Sequence, residues 1–527
     1  MSMKKRVVIG LIRHPEYRKT AILQLMAEAW QAHGAACRTV YASELAAALN
    51  ELDSSEIDEV VLYDDSLLGP VVPMDDMLSR AEAAKGWWVL ASEAPMLGLP
   101  RGLWRRPEIQ QALTDGGDPR SLSAVLGEGR ELYDTTSMAA LTAHPLLDEP
   151  LRMAEMGCPF FQHALFHRDY DDVIIANLGH QPMLFYNWLV RSRPDLLGPL
   201  WDFLLTNFHQ IDIHRNLHQT YVLSTKSSLR ENALRNVSEH KLLLVMHLYY
   251  TDKVDESSRF AARFPRETDV CITTNSEEKA KTIHKRFAPL GFNHLEIRII
   301  ENRGRDVSSL LVGAADLISS HEIVCFFHDK KVLQTKPGSI GLGFAEKLSE
   351  NLFATADYVL NVVDLFAQNE RLGLLCPPPP HHSDYYFTQG LDWGPNYQLT
   401  RDLADRLNLQ VPIAPDKRPI APLGTCFWFR SAAMKPLLAA GWKYEDFPPE
   451  PNNTDGTLLH AVERIYPFAV ASAGYYPAYM LSDRWAKVEY SSLRYYVEGY
   501  NRVCSRHGIM NYQRNMRYEL AARLGKH

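Results

Sequence analysis

Four short segments in the second half of the sequence gather the residue types that group-transfer chemistry needs. They are Asn302-Arg303-Gly304-Arg305-Asp306, His328-Asp329-Lys330-Lys331, the aromatic run from Gly424 to Arg430, and Asp455-Gly456-Thr457 followed by His460, Glu463 and Arg464. Cations beside a glycine that admits close backbone approach suit a phosphate or diphosphate, which arginine can engage in bidentate fashion. A carboxylate at the start of a helix, aimed into a cleft, can serve as general base toward a hydroxyl nucleophile. Asp455 fits that description, but residues of its type also cap helices, and spacing alone leaves the two readings level. His328-Asp329 offers a divalent cation two donors, while Lys330 and Lys331 repel one and can themselves offset charge on a departing diphosphate. No resident metal or other cofactor is therefore expected, with Asp329 the alternative ligand. Trp428 either walls a sugar or base site or belongs to the core, and the core is the expected place for Phe427 and Phe429.

Several other signatures are missing. No G-x-x-x-x-G-K-[ST] loop occurs, no G-x-G-x-x-G follows a strand, and neither a G-x-S-x-G elbow nor a kinase motif set is present. His163/His167 and His214/His218 have the i, i+4 spacing of zinc ligands but lack a third ligand, so packed or hydrogen-bonded histidines are expected. His381-His382-Ser383-Asp384 follows a four-proline run and reads as a loop near the rim described next.

The elements that must position these residues form two α/β stretches. In the first, VVIGLI (7–12), CRTVYA and EVVLYDD (59–65) read as strands, and 18–34 as a helix ending at Gly34. That alternation predicts parallel βα units. Residues 95–150 show no clear period and read as loops and short helices; 150–235 read as helical. A second register opens near 238, with strands expected at 241–250, 269–275, 295–302, 322–329 and 371–378. Continuous apolar runs such as LLLVM and IVCFF mark strands buried on both faces. In an open parallel sheet, ligands bind outside the carboxyl ends of the strands. Those ends carry Tyr249-Tyr250, Thr274-Asn275, Asn302 to Asp306, and His328 to Lys331. One polar turn alone would be a solvated loop; four in succession read as a site. The expected organisation is two tandem α/β domains, 1–150 and 238–480, with a helical linker over 151–237 and a basic helical tail over 481–527. The second domain's sheet is expected to be mainly parallel.

The 527 residues are 46% hydrophobic and 23% charged, with a net charge of −7, which supplies no global field for binding nucleic acid. Seven cysteines stand singly with no C-x-x-C pair, a pattern of reduced thiols in a cytosol. The basic lead at 1–6 precedes an apolar stretch too short for a signal h-region, so a first strand is expected there. The last 45 residues carry nine Lys/Arg against four Asp/Glu. Residues 485–527 are accordingly a candidate for peripheral contact with anionic lipid on the inner face of a membrane, a solvated helix packed by its tyrosines being the alternative.

ENRGRD, FFHDKK, GTCFWFR and DGTLLHAVERIYP, in that order and spacing, resemble the rhamnan synthesis F protein family of bacterial glycosyltransferases. The resemblance covers roughly 240–480 well, and extends faintly through 60–78 and 156–169. It implies a GT-A-like fold that moves a sugar, typically L-rhamnose from dTDP-L-rhamnose, to a cell-surface polysaccharide or O-antigen acceptor, glycan or polyprenyl-linked. Asn302, Gly304, Arg305 and Asp306 match the family's Asn-x-Gly-Arg-Asp turn. His328, Lys330 and Lys331 match its His-x-Lys-Lys, with Asp329 in place of the usual Thr. Asp455, Gly456, His460, Glu463 and Arg464 match its Asp-Gly-Thr helix. On that basis Asp455 is the expected base, and Arg305, Lys330 and Lys331 the expected diphosphate stabilisers of an inverting transfer. Tyr249, Thr274, Asn275, Asn302, Gly304, Asp306 and His328 are expected around the donor, and Trp428, His460 and Glu463 at the acceptor. In the first half Asp64-Asp65-Ser66 with Gly69-Pro70 survives while two other family segments do not, which implies a degenerate, structural or acceptor-binding domain. The rival from another class is a catalytically silent nucleotide- or sugar-binding scaffold.

Overall fold

The structure, a computed structural model, describes residues 4–17, 20–53, 55–91, 93–115, 122, 125–127, 129–136, 142, 144–170, 180–226, 235–237, 239–329, 338–379, 392–453 and 455–506. It is mixed α/β and divides into two units, residues 1–219 with 410–412, and residues 220–409 with 413–527.

The first unit contains β1 (Arg6–Ile12), β2 (Ala36–Tyr41), β3 (Glu59–Asp64), β4 (Leu67–Leu68), β5 (Trp88–Val89), β6 (Met96–Pro100), β7 (Arg130–Glu131) and β8 (Phe161–Gln162). Its main sheet is ordered β2-β1-β3-β6-β5-β7, while β4 pairs with β8. Both faces of β1 and β3 are covered, which is why they read as unbroken apolar runs. Val8 and Val61 pack with Met26 and Trp30 of the helix Thr20–Gln31, and Val7, Ile9, Val60 and Leu62 pack with Leu49 and Trp104. That helix stops before Gly34, whose φ of 79° is the left-handed geometry that commonly ends helices. The reading of 95–150 as loops and short helices needs correcting, because that stretch holds the strand β6. There β6 runs antiparallel to both β3 and β5. A short hairpin connection needs no crossover helix, so no helix–strand alternation announces it.

The stretch read as helical holds the helices Pro150–Glu155, Gln181–Ser192, Leu197–Asn207 and Gln210–Asn216, all in the first unit. It also holds a strand that the reading missed. β9 (Thr220–Leu223) is an edge strand of the second unit's sheet, and its alternating exposure gives it no continuous apolar signal.

The second unit adds β10 (Leu242–His247), β11 (Asp269–Thr274), β12 (His294–Ile299), β13 (Ile323–His328), β14 (Leu372–Cys376), β15 (Phe427–Arg430) and β16 (Tyr476–Ser482), in the order β12-β11-β10-β13-β15-β14-β16-β9. β15 runs antiparallel to both its neighbours; the other adjacent pairs are parallel. β10 and β13 are buried almost throughout and lie side by side, yet β11 and β12 continue on the far side of β10. The chain order therefore switches direction between β10 and β13, the place where open α/β sheets leave a crevice at their carboxyl ends. Among the described residues, no helix is long and apolar enough to cross a membrane.

Candidate active site

The carboxyl ends of β10 and β13 carry His247 and His328, the last residues of these strands and partners in register. His247 is buried, its Nδ1 2.9 Å from Thr273 Oγ1, which in turn lies 2.6 Å from Ser309 Oγ. Burial pulls the imidazole pKa down to about 4 against the opposing charge of Asp306, so the ring is neutral at pH 7. His328 Nε2 donates to Gly424 O at 2.8 Å, tying the end of β13 to the turn that enters β15. Asp329 turns inward: its Oδ2 accepts from the Tyr250 N–H at 2.6 Å, and burial raises its carboxyl pKa. Lys279 gathers the next group of predicted residues. Its Nζ donates to Asn275 Oδ1 at 2.8 Å and sits 3.6 Å from the centre of the Tyr249 ring. Thr274, next to Asn275 in sequence, is fully buried.

The 302–306 turn does something other than present free cations. Gly304 has φ 79°, and a Cβ there would lie 2.7 Å from both Phe447 Cγ and Ser308 Cβ, so glycine is what lets Phe447 close over the turn. Arg303 donates to Phe447 O at 2.6 Å and Glu445 O at 3.0 Å. Arg305 forms a bidentate pair with Glu450 at 2.8 and 3.1 Å and reaches Asn452 O at 3.2 Å. Both guanidinium groups thus clamp the 445–452 segment, which corrects their reading as cations left open to an anion. The helix that follows this segment is a single turn, Arg305–Ser308, continued by a π-helical turn over Ser309–Gly313. Asn302 is exposed at the start of the turn. Asp306 lies close enough to act electrostatically on His247 and Tyr466.

Asp455 comes shortly after this clamp in the chain. The helix that follows is Leu458–Ser472, capped at Thr457, whose hydroxyl lies 2.8 Å from His460 Nδ1. Asp455 is therefore not the helix cap. Its Oδ1 accepts from Asn396 Nδ2 and from the Gly456 N–H, each at 2.8 Å, and among the described residues Oδ2 accepts no hydrogen bond. Burial by itself would raise the carboxyl pKa. The donors Asn396 and Gly456, with the charges of Arg464 and His460, outweigh it and hold the pKa below its ordinary value, so the group is ionised at neutral pH.

Glu463 fixes the remaining side. Its Oε2 accepts from the Gly424 N–H at 2.7 Å and Thr425 Oγ1 at 3.3 Å, and its Oε1 from Arg464 at 3.0 Å. Arg464 also donates to Asp392 O and His460 O. One hydrogen-bonded network thus runs from His328 through Gly424, Glu463 and Arg464 to the start of the helix beside Asp455.

One acceptor-side expectation needs correction. Trp428 is fully buried, donates to Leu352 O at 3.0 Å and stacks on Phe264 at 5.5 Å, so it is core rather than a wall. Glu463 holds the 424 turn through Oε2 and Arg464 through Oε1. His460, half-buried, has its Nδ1 2.8 Å from Thr457 Oγ1. Phe427 and Phe429 are fully buried, as expected of core residues. His163 and His167 bond each other at 2.9 Å, and His167 stacks on Phe208, so this pair is packed as expected. Cys37, Cys158, Cys271, Cys325, Cys376 and Cys426 are all free thiols. Lys330, Lys331 and the 381–384 segment lie outside the described residues. Sequence reasoning overlooked His247, Lys279, Gly394 and Asn396. A Trp-Gly-Pro-Asn turn just before a helix was the available signal for the last two.

A family model described as rhamnan synthesis protein F matches residues 130–475. Uncharacterized protein WxcX, from two strains of Xanthomonas campestris pv. campestris, is 29% identical over 236 residues, covering 44% of this chain and 32% of the relative. The chain thus spans about a third of the length of the curated relatives it matches. The crystal structure of the glycosyltransferase GlyE from Streptococcus pneumoniae TIGR4 aligns with 65% of this chain and 90% of its own at 11% identity. Its TM-score is 0.21, too low to support an argument.

Proposed function

The chain belongs to the rhamnan synthesis protein F family, and from that premise we propose that it is a polysaccharide glycosyltransferase whose second unit is a GT-A-like donor-binding domain. The reading is supported most by Asp455, an ionised carboxylate anchored through one oxygen, at the helix whose network reaches the carboxyl end of β13. Asp455 Oδ2 removes the proton of an acceptor hydroxyl as that oxygen attacks the anomeric carbon. The bond from that carbon to the phosphate oxygen breaks, its electron pair leaves with the nucleoside diphosphate, and the configuration inverts. Lys330 and Lys331 are assigned to the developing diphosphate charge. Arg305 is assigned to holding the 449–452 loop through Glu450. The donor sugar is L-rhamnose, and the acceptor a glycan or polyprenyl-linked glycan.

A panel of dTDP-, UDP- and GDP-sugars tests this by thermal shift and by release of nucleoside diphosphate. A donor present at a hundredfold its Kd stabilises by about 2.7 kcal/mol, a rise on the order of 5 °C for a unit of this size. dTDP-L-rhamnose is expected to give the largest rise and to turn over. Binding without turnover favours the silent scaffold, and no shift with any donor removes the nucleotide-sugar reading.

The helix Asp483–Arg506 is proposed to rest on anionic lipid at the inner face of a membrane, bringing the site to a lipid-linked acceptor. Tyr490, Leu493, Val497 and Tyr500 recur at helical spacing and are 41% to 65% exposed. A basic helix with such a face suits an interfacial position. Flotation with phosphatidylglycerol vesicles should carry the native chain, and Leu493→Ser with Val497→Ser should weaken it several-fold; equal flotation rejects this contact.

A further inference from the structure

We infer that Asn396 is the positioning residue for Asp455, holding Oδ1 so that Oδ2 alone faces the acceptor. This inference rests on the assignment of Asp455 as base. Asn396 is fully buried, an uncommon place for an amide unless its hydrogen bonds are needed. Its two amide hydrogens go to Asp455 Oδ1 at 2.8 Å and Trp393 O at 3.1 Å. Its Oδ1 has no partner among the described residues, so the amide is kept there by what it donates. Flipping it would set two oxygens against each other.

The turn that carries Asn396 is built onto the same helix that follows Asp455. Trp393 stacks on Phe468 of that helix at 5.9 Å, and its indole N–H donates to Lys417 O at 2.8 Å. Gly394 has φ 50°, and a Cβ on it would sit 3.3 Å from Asp455 Oδ2. The turn backbone therefore borders one oxygen while the amide grips the other. With the Gly456 N–H also on Oδ1, the hydrogen bonds from both sides converge on one oxygen. The lone pairs of Oδ2 are left to take a proton. Among the described residues, the other charges facing the carboxylate are Arg464 and His460, on the helix itself.

The role predicts more than lost packing. Asn396→Asp replaces a donor with a second carboxylate, which disfavours ionisation of its neighbour. The acid limb of kcat/KM should move up by about one pH unit, and kcat should fall about a hundredfold through misplacement of the base, with KM for the donor within about twofold. Asn396→Ala removes the donor without adding charge. It should lower kcat about tenfold and shift the limb less, and serves where the aspartate variant does not fold. Both are measured beside Asp455→Asn on the donor that turns over best, with donor-induced stabilisation as the check on folding. A dead Asp455→Asn with native kcat and an unmoved acid limb in both Asn396 variants overturns the positioning role and leaves the base standing. Full turnover by Asp455→Asn, or none by the native chain with any donor of the panel, removes the base assignment and this role with it.

Discussion

Replacing Asp455 by Asn is expected to lower kcat by about 10²- to 10⁴-fold, the usual worth of a positioned general base. The substitution is close to isosteric. Its carbonyl oxygen can still accept from Asn396 and the Gly456 N–H, while the atom at the Oδ2 position becomes an amide nitrogen with no lone pair for a proton. Donor affinity, read as donor-induced stabilisation, should therefore stay within about twofold, because uniform binding is untouched. The native pH profile carries a second signature. The Asp455 pKa lies below the ordinary aspartate value of about 3.9, so the base is ionised across the neutral range. Activity limited by this group falls only as pH drops through that lowered pKa. The same sign holds for stability. A carboxyl whose folded pKa is depressed contributes above its unfolded pKa, and that contribution is lost as acid is added. Transfer rates for the asparagine variant equal to native would exclude Asp455 as base.

Trp428→Ala should destabilise the second unit by about 3–5 kcal/mol, the range for truncating a large aromatic in a close-packed core. The indole has no exposed surface, and its strand lies between β13 and β14, with Cys325 and Leu375 opposite it. Truncation removes the stack on Phe264 and leaves Leu352 O without its donor. An unpaired buried carbonyl adds its own penalty to that of the cavity. Urea unfolding followed by a probe in this unit reads the loss as a lower midpoint with a similar slope. Donor and acceptor KM of the folded fraction should remain native. Native stability with a raised acceptor KM would restore Trp428 to the wall of the site.

Much of the second unit was legible because burial on both faces leaves a plain trace in the chain. LLLVM and IVCFF are unbroken apolar runs, and they became β10 and β13. The parallel order followed from the helices between them. β6 and β9 were not legible, since a short antiparallel return and an alternating edge strand share their pattern with ordinary loops. The motif residues also resembled the family whose model matches 130–475.

Residue type and local spacing thus determined which side chains were candidates and roughly which strand ends would carry them. Tertiary structure decided what each one faces. Arg305 meets Glu450 across 145 positions, and Asp455 meets Asn396 across 59. A guanidinium reads the same in sequence whether it binds a phosphate or a carboxylate of its own chain. The difference lies in distances of about 3 Å between segments that only the folded chain brings together.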